Sequence, residues 1–167
     1  MGKKYTISIL LTKPNDFLSR IVYFFTGRGY THASIGLDDL ADTFYSFNIK
    51  GFRMEHPKRH KDMIKKSICY ELDVTKEEHE KVTELIGDFQ AERFSWKYDR
   101  IGLLLTILGI SHKRKKHYIC TQFVAELLQK AKIMNLSKNA SLYVPNILGQ
   151  EVRELISLRR VNIDPIM

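Results

Sequence analysis

Two side chains in this sequence have the types and settings for covalent chemistry. Cys120 sits in Tyr118-Ile119-Cys120-Thr121-Gln122-Phe123-Val124-Ala125-Glu126-Leu127-Leu128, where a short apolar lead-in runs into an amphipathic helical pattern. A thiol in the first turn of a helix meets unpaired N–H groups and the positive end of the helix dipole, and both favour the thiolate. The thiolate, not the thiol, is the nucleophile. Far upstream, Thr31-His32-Ala33-Ser34-Ile35-Gly36-Leu37 places a histidine in an apolar, strand-like run. A cysteine at a helix start and a histidine on a strand are the minimum equipment of a thiol hydrolase or acyltransferase. Either residue alone more commonly has a packing role; the pairing is what points to chemistry.

Period-two alternation puts His32, Ser34 and Gly36 on one face of the strand and Ala33, Ile35 and Leu37 on the other. The first face carries small side chains beside the imidazole, which leaves room for a helix end or a substrate. A Cys–His dyad normally has a third group that orients the ring. The next strand, Thr43-Phe44-Tyr45-Ser46-Phe47, is where adjacent-strand geometry would supply it. Ser46 is the preferred candidate, with Tyr45 behind it and Glu55 as a more distant option. His56 and His60 are four apart, but Pro57 between them in a basic stretch argues against a helical metal-binding pair. The run Lys113-Arg114-Lys115-Lys116 reads as a solvated loop close enough to Cys120 to attract an anionic substrate or lipid headgroup. Cys69 alternates within a strand pattern and reads as core.

The elements that must position these groups can be read from hydrophobic periodicity. Residues 5–11 read as a strand. Pro14-Asn15-Asp16 then opens a helix with Phe17, Leu18, Ile21, Val22, Phe24 and Phe25 at helical spacing, and Gly27-Arg28-Gly29 stops it. Residues 31–37 and 43–47 form a hairpin about a turn at Asp38-Asp39, with a further short strand over 51–55. Residues 56–66 are polar and basic and read as loop, and 67–74 as a strand. Thr75 with Glu78 is a capping box, opening a helix that buries Val82, Leu85, Ile86 and Phe89. Residues 96–110 form an apolar stretch read as helical, and 112–117 a basic loop. The Cys120 helix runs to about Lys132. A short helix around 150–156 and a last strand near 158–163 close the chain. No repeat, low-complexity segment or linker interrupts it, so residues 1–167 read as one α+β domain.

The chain has 167 residues, 44% of them hydrophobic and 28% charged, which is an ordinary globular composition. Lys and Arg number 27 against 19 Asp and Glu, a formal net charge of +8. That excess favours anionic partners, such as a membrane surface or a cell-wall polymer. No aromatic-rich RNA motif or zinc-finger spacing is present, so nucleic acid is not expected. Two cysteines allow one disulfide at most. The N-terminal Lys3-Lys4 followed by a short apolar run lacks an Ala-x-Ala cleavage site and is broken by Thr6 and Ser8, so it reads as a strand and not as a signal peptide. The apolar run over 101–110 is about half the length needed to cross a bilayer. A cytoplasmic, reduced protein is expected, with peripheral membrane association open. The chemistry calls for no cofactor and no metal.

The pattern resembles the circularly permuted papain-like proteins of the NlpC superfamily, specifically the YiiX-like branch. In ordinary NlpC-type peptidases the Cys helix precedes the His strand; in the permuted branch, as here, the His strand comes first. Three stretches carry the resemblance, over roughly residues 5–130. They are Ile9-Leu10-Leu11 through Phe25-Thr26-Gly27 to Tyr30-Thr31-His32-Ala33-Ser34-Ile35-Gly36-Leu37; Phe44-Tyr45-Ser46-Phe47 with Gly51-Phe52 and Glu55; and the Cys120 segment, near an aromatic-x-Cys-Ser-Glu/Gln-Phe-Val pattern. The resemblance implies a permuted papain-like fold with the Cys helix packed against an antiparallel sheet. It also implies Cys120 as nucleophile, His32 as general base, and a third polar residue at or near Ser46, where relatives often carry His, Asn, Gln or an acid. The expected activity is that of a cysteine peptidase or amidase on a small peptide, amide or acyl-lipid substrate. Acyl transfer of the lecithin retinol acyltransferase-like type is the nearest alternative, and an inert binding module the third.

Overall fold

The computed structural model describes residues 4–37, 42–155 and 161–164. The chain is α+β. Strand β1 (Tyr5–Pro14) is the centre of an antiparallel sheet, with β2 (His32–Gly36), β3 (Phe44–Asn48) and β4 (Gly51–Glu55) successively on one side and β5 (Ile64–Val74) on the other. These five strands are extended at the β5 edge by a sixth, β8 (Val161–Asp164). The helices are α1 (Phe17–Phe25), α2 (Lys76–Ala91), α3 (Arg100–Ile107), α4 (Cys120–Lys130) and α5 (Pro145–Leu155). Two short strands, β6 (Lys97–Tyr98) and β7 (His117–Tyr118), pair in parallel beside the sheet.

Alternation on β1 explains the layering. Ile9 lies opposite Ile35 on β2 and Tyr70 on β5, Leu11 opposite Ala33 and Ile68, and Ile7 opposite Leu72. Paired residues share a face, so these side chains make one apolar surface. Helix α2 packs on β1, and α4 packs on β2 and β3. Rings from both layers interlock there: Phe47 and Phe52 from the sheet, Phe89 from α2, Phe123 from α4, with Trp96 and Tyr118 at the margin. Each such ring pair contributes ~0.5–1.5 kcal/mol beyond its buried area. The cluster sits directly under the first turn of α4 and fixes where that turn begins.

Helix starts are set by side-chain caps. Asp16 Oδ1 accepts from Ser19 N–H at 2.7 Å and opens α1. Thr75 and Glu78 form the reciprocal capping box of α2, at 3.1 and 2.9 Å. Asp99, almost fully buried, accepts from Gly102 N–H at 2.8 Å and opens α3. Gly51 turns β3 into β4 with φ +91°, and a Cβ there would stand 2.3 Å from the Trp96 carbonyl oxygen. Only glycine meets both demands.

Three expectations change. Residues 56–66 are not simply loop: Pro57–Met63 forms a 3-10 helix and β5 already starts at Ile64. The stretch 96–110 is helical only from Arg100, because Lys97 and Tyr98 pair with His117 and Tyr118 and Asp99 caps the helix behind them. The last helix begins at Pro145, earlier than expected, with proline in the first-turn position that tolerates its missing N–H. Both cysteines are free thiols. The turn expected at Asp38-Asp39 lies outside the described residues. Among the described residues, no helix is long and apolar enough to cross a membrane.

Candidate active site

Cys120 is the first residue of α4, and the N-cap, Ile119, is extended with no side-chain hydrogen bond. An aliphatic cap leaves the first-turn N–H groups of α4 without the side-chain acceptor that Asp16, Thr75 and Asp99 give α1, α2 and α3. Thr121 anchors this turn from the other side, its hydroxyl donating to the Tyr143 carbonyl at 2.5 Å. Cys120 is buried, with 7% of the residue's surface exposed.

His32 opens β2, and the chain entering it is held at several points. Tyr30 N–H donates to Asn146 Oδ1 at 2.9 Å, while Asn146 Nδ2 donates to the Thr26 carbonyl at 3.0 Å. Thr31 N–H donates to the Thr12 carbonyl at 2.9 Å, and the Ser19 and Thr31 hydroxyls share a hydrogen bond of 2.5 Å. Asn146 comes from α5, over a hundred residues away, and nothing in its local sequence marks it as part of this region.

The imidazole is held between a carboxylate and the thiol. Its Nε2 lies 2.9 and 3.1 Å from the two oxygens of Glu55, with the His32 and Glu55 side chains 17% and 23% exposed. The Cys120 side chain is the second group that acts on the ring. Since the carboxylate can only accept, Nε2 carries the proton toward Glu55 and Nδ1 is the ring nitrogen left for sulfur. Burial alone would depress the imidazole. The negative charge of Glu55, the hydrogen bonds to Cys120 and Glu55, and the charge on Cys120 together outweigh it and hold His32 well above the ordinary histidine value of 6.5.

Ser46 is not the group that orients the ring. It is fully buried and its hydroxyl donates to the Ala33 carbonyl at 2.5 Å. Tyr45 lies opposite Ile35, so it projects to the helix-covered face, where its ring stacks on Phe52 at 6.3 Å. The side chain hydrogen-bonded to the ring is that of Glu55, the distant option of the three. Glu55 lies opposite Phe44 on β3, and β3 lies between β4 and β2. The His32 and Glu55 side chains nevertheless meet, although β3 separates their strands in the sheet order.

Tyr98 is a neighbour that sequence reasoning missed. It is paired in register with Tyr118, two residues before Cys120. Burial first, then the charges of Cys120, Asp16 and Asp99, push its phenol far above the usual tyrosine value. It stays a neutral O–H within electrostatic reach of the sulfur. The only hint in the sequence is an aromatic residue just before Asp99.

The remaining candidates have other partners. Cys69 packs with Leu10 and Phe44 in a small separate apolar cluster. His56 Nδ1 donates to the Asp42 carbonyl at 3.0 Å. Three of the four residues in the basic run are paired and not merely solvated: Lys113 with Glu126 at 2.9 Å, Arg114 with Asp99 at 3.3 Å and Lys116 with Glu92 at 2.6 Å. Glu126 also accepts from Tyr118 at 2.9 Å and Gln122 at 3.2 Å. Burial would raise its carboxyl, but Lys113, Gln122 and Tyr118 bring it below the ordinary value. This network ties the segment before Cys120 to the helix after it.

The arrangement has the parts of thiol-based acyl chemistry: sulfur at a helix start, an imidazole against it, and a carboxylate fixing tautomer and charge. No protein-family model matches the chain, and no curated protein matches it.

Proposed function

We propose that this protein is a cysteine hydrolase that cleaves an amide or ester bond through an acyl-enzyme, on a permuted papain-like (NlpC-type, YiiX-like) scaffold. The observation that carries the reading is the His32 imidazole, hydrogen-bonded through Nε2 to Glu55, with the Cys120 side chain acting on the same ring. The order of His strand before Cys helix and the packing of α4 on an antiparallel sheet support the scaffold.

In this reading His32 holds the Cys120 proton on Nδ1, and the sulfur attacks the substrate carbonyl. The carbonyl π pair moves to oxygen, where the Cys120 backbone N–H is the natural donor to the developing oxyanion. Tyr98, neutral and close by, is the second candidate donor. As the tetrahedral adduct collapses, the bond from carbon to the leaving nitrogen or oxygen breaks and His32 gives that atom its proton, leaving a thioester. Water then adds to the thioester carbonyl, losing its proton to His32. The carbon–sulfur bond breaks, the acid departs and the thiol is restored. Glu55 touches neither substrate nor sulfur; it holds the ring and stabilises the imidazolium.

The direct test is labelling with a thiol-directed acyl electrophile at near-neutral pH, with the modified residue mapped by mass spectrometry. Label on Cys120 that disappears in Cys120→Ala is the expected result. Label that persists in that variant places the reactive thiol at Cys69 and overturns the assignment. No label on the wild type points to an inert binding module. Transfer of the acyl group to an added amine in preference to water is the outcome that selects the acyltransferase alternative.

A further inference from the structure

Helices α1 and α3 are built the wrong way round for surface helices. On α1 the buried residues are Ser19 and Val22, while Phe17, Phe24 and Phe25 are all more than half exposed. On α3 the buried residues are Gly102 and Thr106, while Ile101, Leu104 and the C-cap Leu108 are more than half exposed. A surface helix ordinarily turns its apolar stripe inward. Here the inner faces are fixed by hydroxyls instead: Ser19 to Thr31, and Thr106 to the Gly102 and Ser141 carbonyls at 2.8 and 2.6 Å. The large apolar side chains at helical spacing are left to face outward.

The two helices share one side of the molecule, and it is the side of the thiol. The start of each helix lies beside the candidate site: Ser19 of α1 bonds Thr31, next to His32, and Asp99 N–H at the start of α3 donates to the Tyr118 carbonyl at 3.0 Å, two residues before Cys120. At their other ends Phe25 and Thr26 line an open cleft of about 380 Å³ with Ile107, Gly109, Val144 and Ile147. The charged residues within the two helices, Arg20 and Arg100, are both basic and exposed. Residues 17–37 and 100–125 contain no aspartate or glutamate, and Arg20, Arg28, Arg100 and Lys115 among them are exposed.

We propose that the outward face of α1 and α3 is a docking surface for an anionic lipid bilayer, which sets the Cys120–His32 site at the membrane–water interface. Exposed phenylalanine and leucine with an arginine rim is the composition of an element that lies in that interface. Anionic headgroups supply counter-charge to the exposed Arg20, Arg28, Arg100 and Lys115. The docking does not require Cys120 to be a nucleophile.

Co-sedimentation with phosphatidylglycerol-containing vesicles tests it, with pure phosphatidylcholine vesicles as the neutral comparison. The full chain is expected to bind the anionic vesicles, and less so as salt is raised. Replacing Phe24 and Phe25 together by serine should reduce partitioning at least about tenfold. Each of Arg20→Ala and Arg28→Ala should reduce it about fivefold. Cys120→Ala should bind as wild type does, and the double serine variant should keep its thiol labelling, so failure here and failure of the hydrolase reading are separately visible. Wild type that stays in the supernatant with both vesicle types overturns the proposal. So does a dimer in solution that the double serine variant dissociates in the absence of vesicle binding, which would make this face a contact between two copies of the chain.

Discussion

The carboxylate of Glu55 is the part of the site whose removal has the most legible consequence. Glu55→Gln keeps a side-chain oxygen in place to accept from Nε2 at the present 2.9 Å but deletes the negative charge. A hydrogen bond to a charged group contributes ~1.5–3 kcal/mol against ~0.5–1.5 for a neutral one, so the imidazolium loses ~1–1.5 kcal/mol of support. With both side chains less than a quarter exposed, solvent screens only part of that difference. The result is about tenfold in the balance between the imidazolium–thiolate pair and the neutral pair. The assay is the rate of alkylation by iodoacetamide from pH 5 to 9, in a Cys69→Ser background so that only Cys120 reports. The variant is expected to alkylate about tenfold more slowly near neutrality, with the imidazole limb of its profile moved to lower pH. A rate and profile superimposable on the parent would show that Glu55 does not charge the ring, and the assignment of roles would fail with it.

Ser46→Ala should leave the alkylation profile unchanged, because its hydroxyl is committed to the Ala33 carbonyl, and should cost about 1 kcal/mol of stability in a denaturant titration. The pH dependence of stability should have two limbs. His32 is raised in the folded state, so its contribution is complete below the ordinary histidine range and is lost as pH climbs through the folded value. Glu126 is lowered, so its contribution holds above the ordinary carboxylate value and is lost as pH falls through the folded one. Melting temperatures of Glu126→Gln should accordingly lie below wild type at neutral pH and converge on it in acid.

Features that depend on near neighbours are legible in the sequence. The Thr75–Glu78 box, the Asp16 cap, the β2–β3 hairpin strands and the helix at Cys120 are all encoded within a few residues. Sequence favours Ser46 because an adjacent strand is the nearest place to find a partner. The actual partner, Glu55, belongs to a strand that β3 separates from β2 in the sheet order. Asn146 and Tyr98 are invisible for a related reason: α5 and the β6–β7 pair bring them in by tertiary packing, which no local period announces. The apolar stripes of α1 and α3 look like ordinary core stripes in sequence, since periodicity gives the stripe but not which way it points.

Trp96, the chain's one tryptophan, touches the ring of Phe89 at 4.5 Å and that of Tyr118 at 5.8 Å. Tyr118 is two residues from the sulfur. Intrinsic indole emission therefore comes from a single known address beside the reactive centre, and the protein carries its own optical gauge of occupancy there without any dye attached.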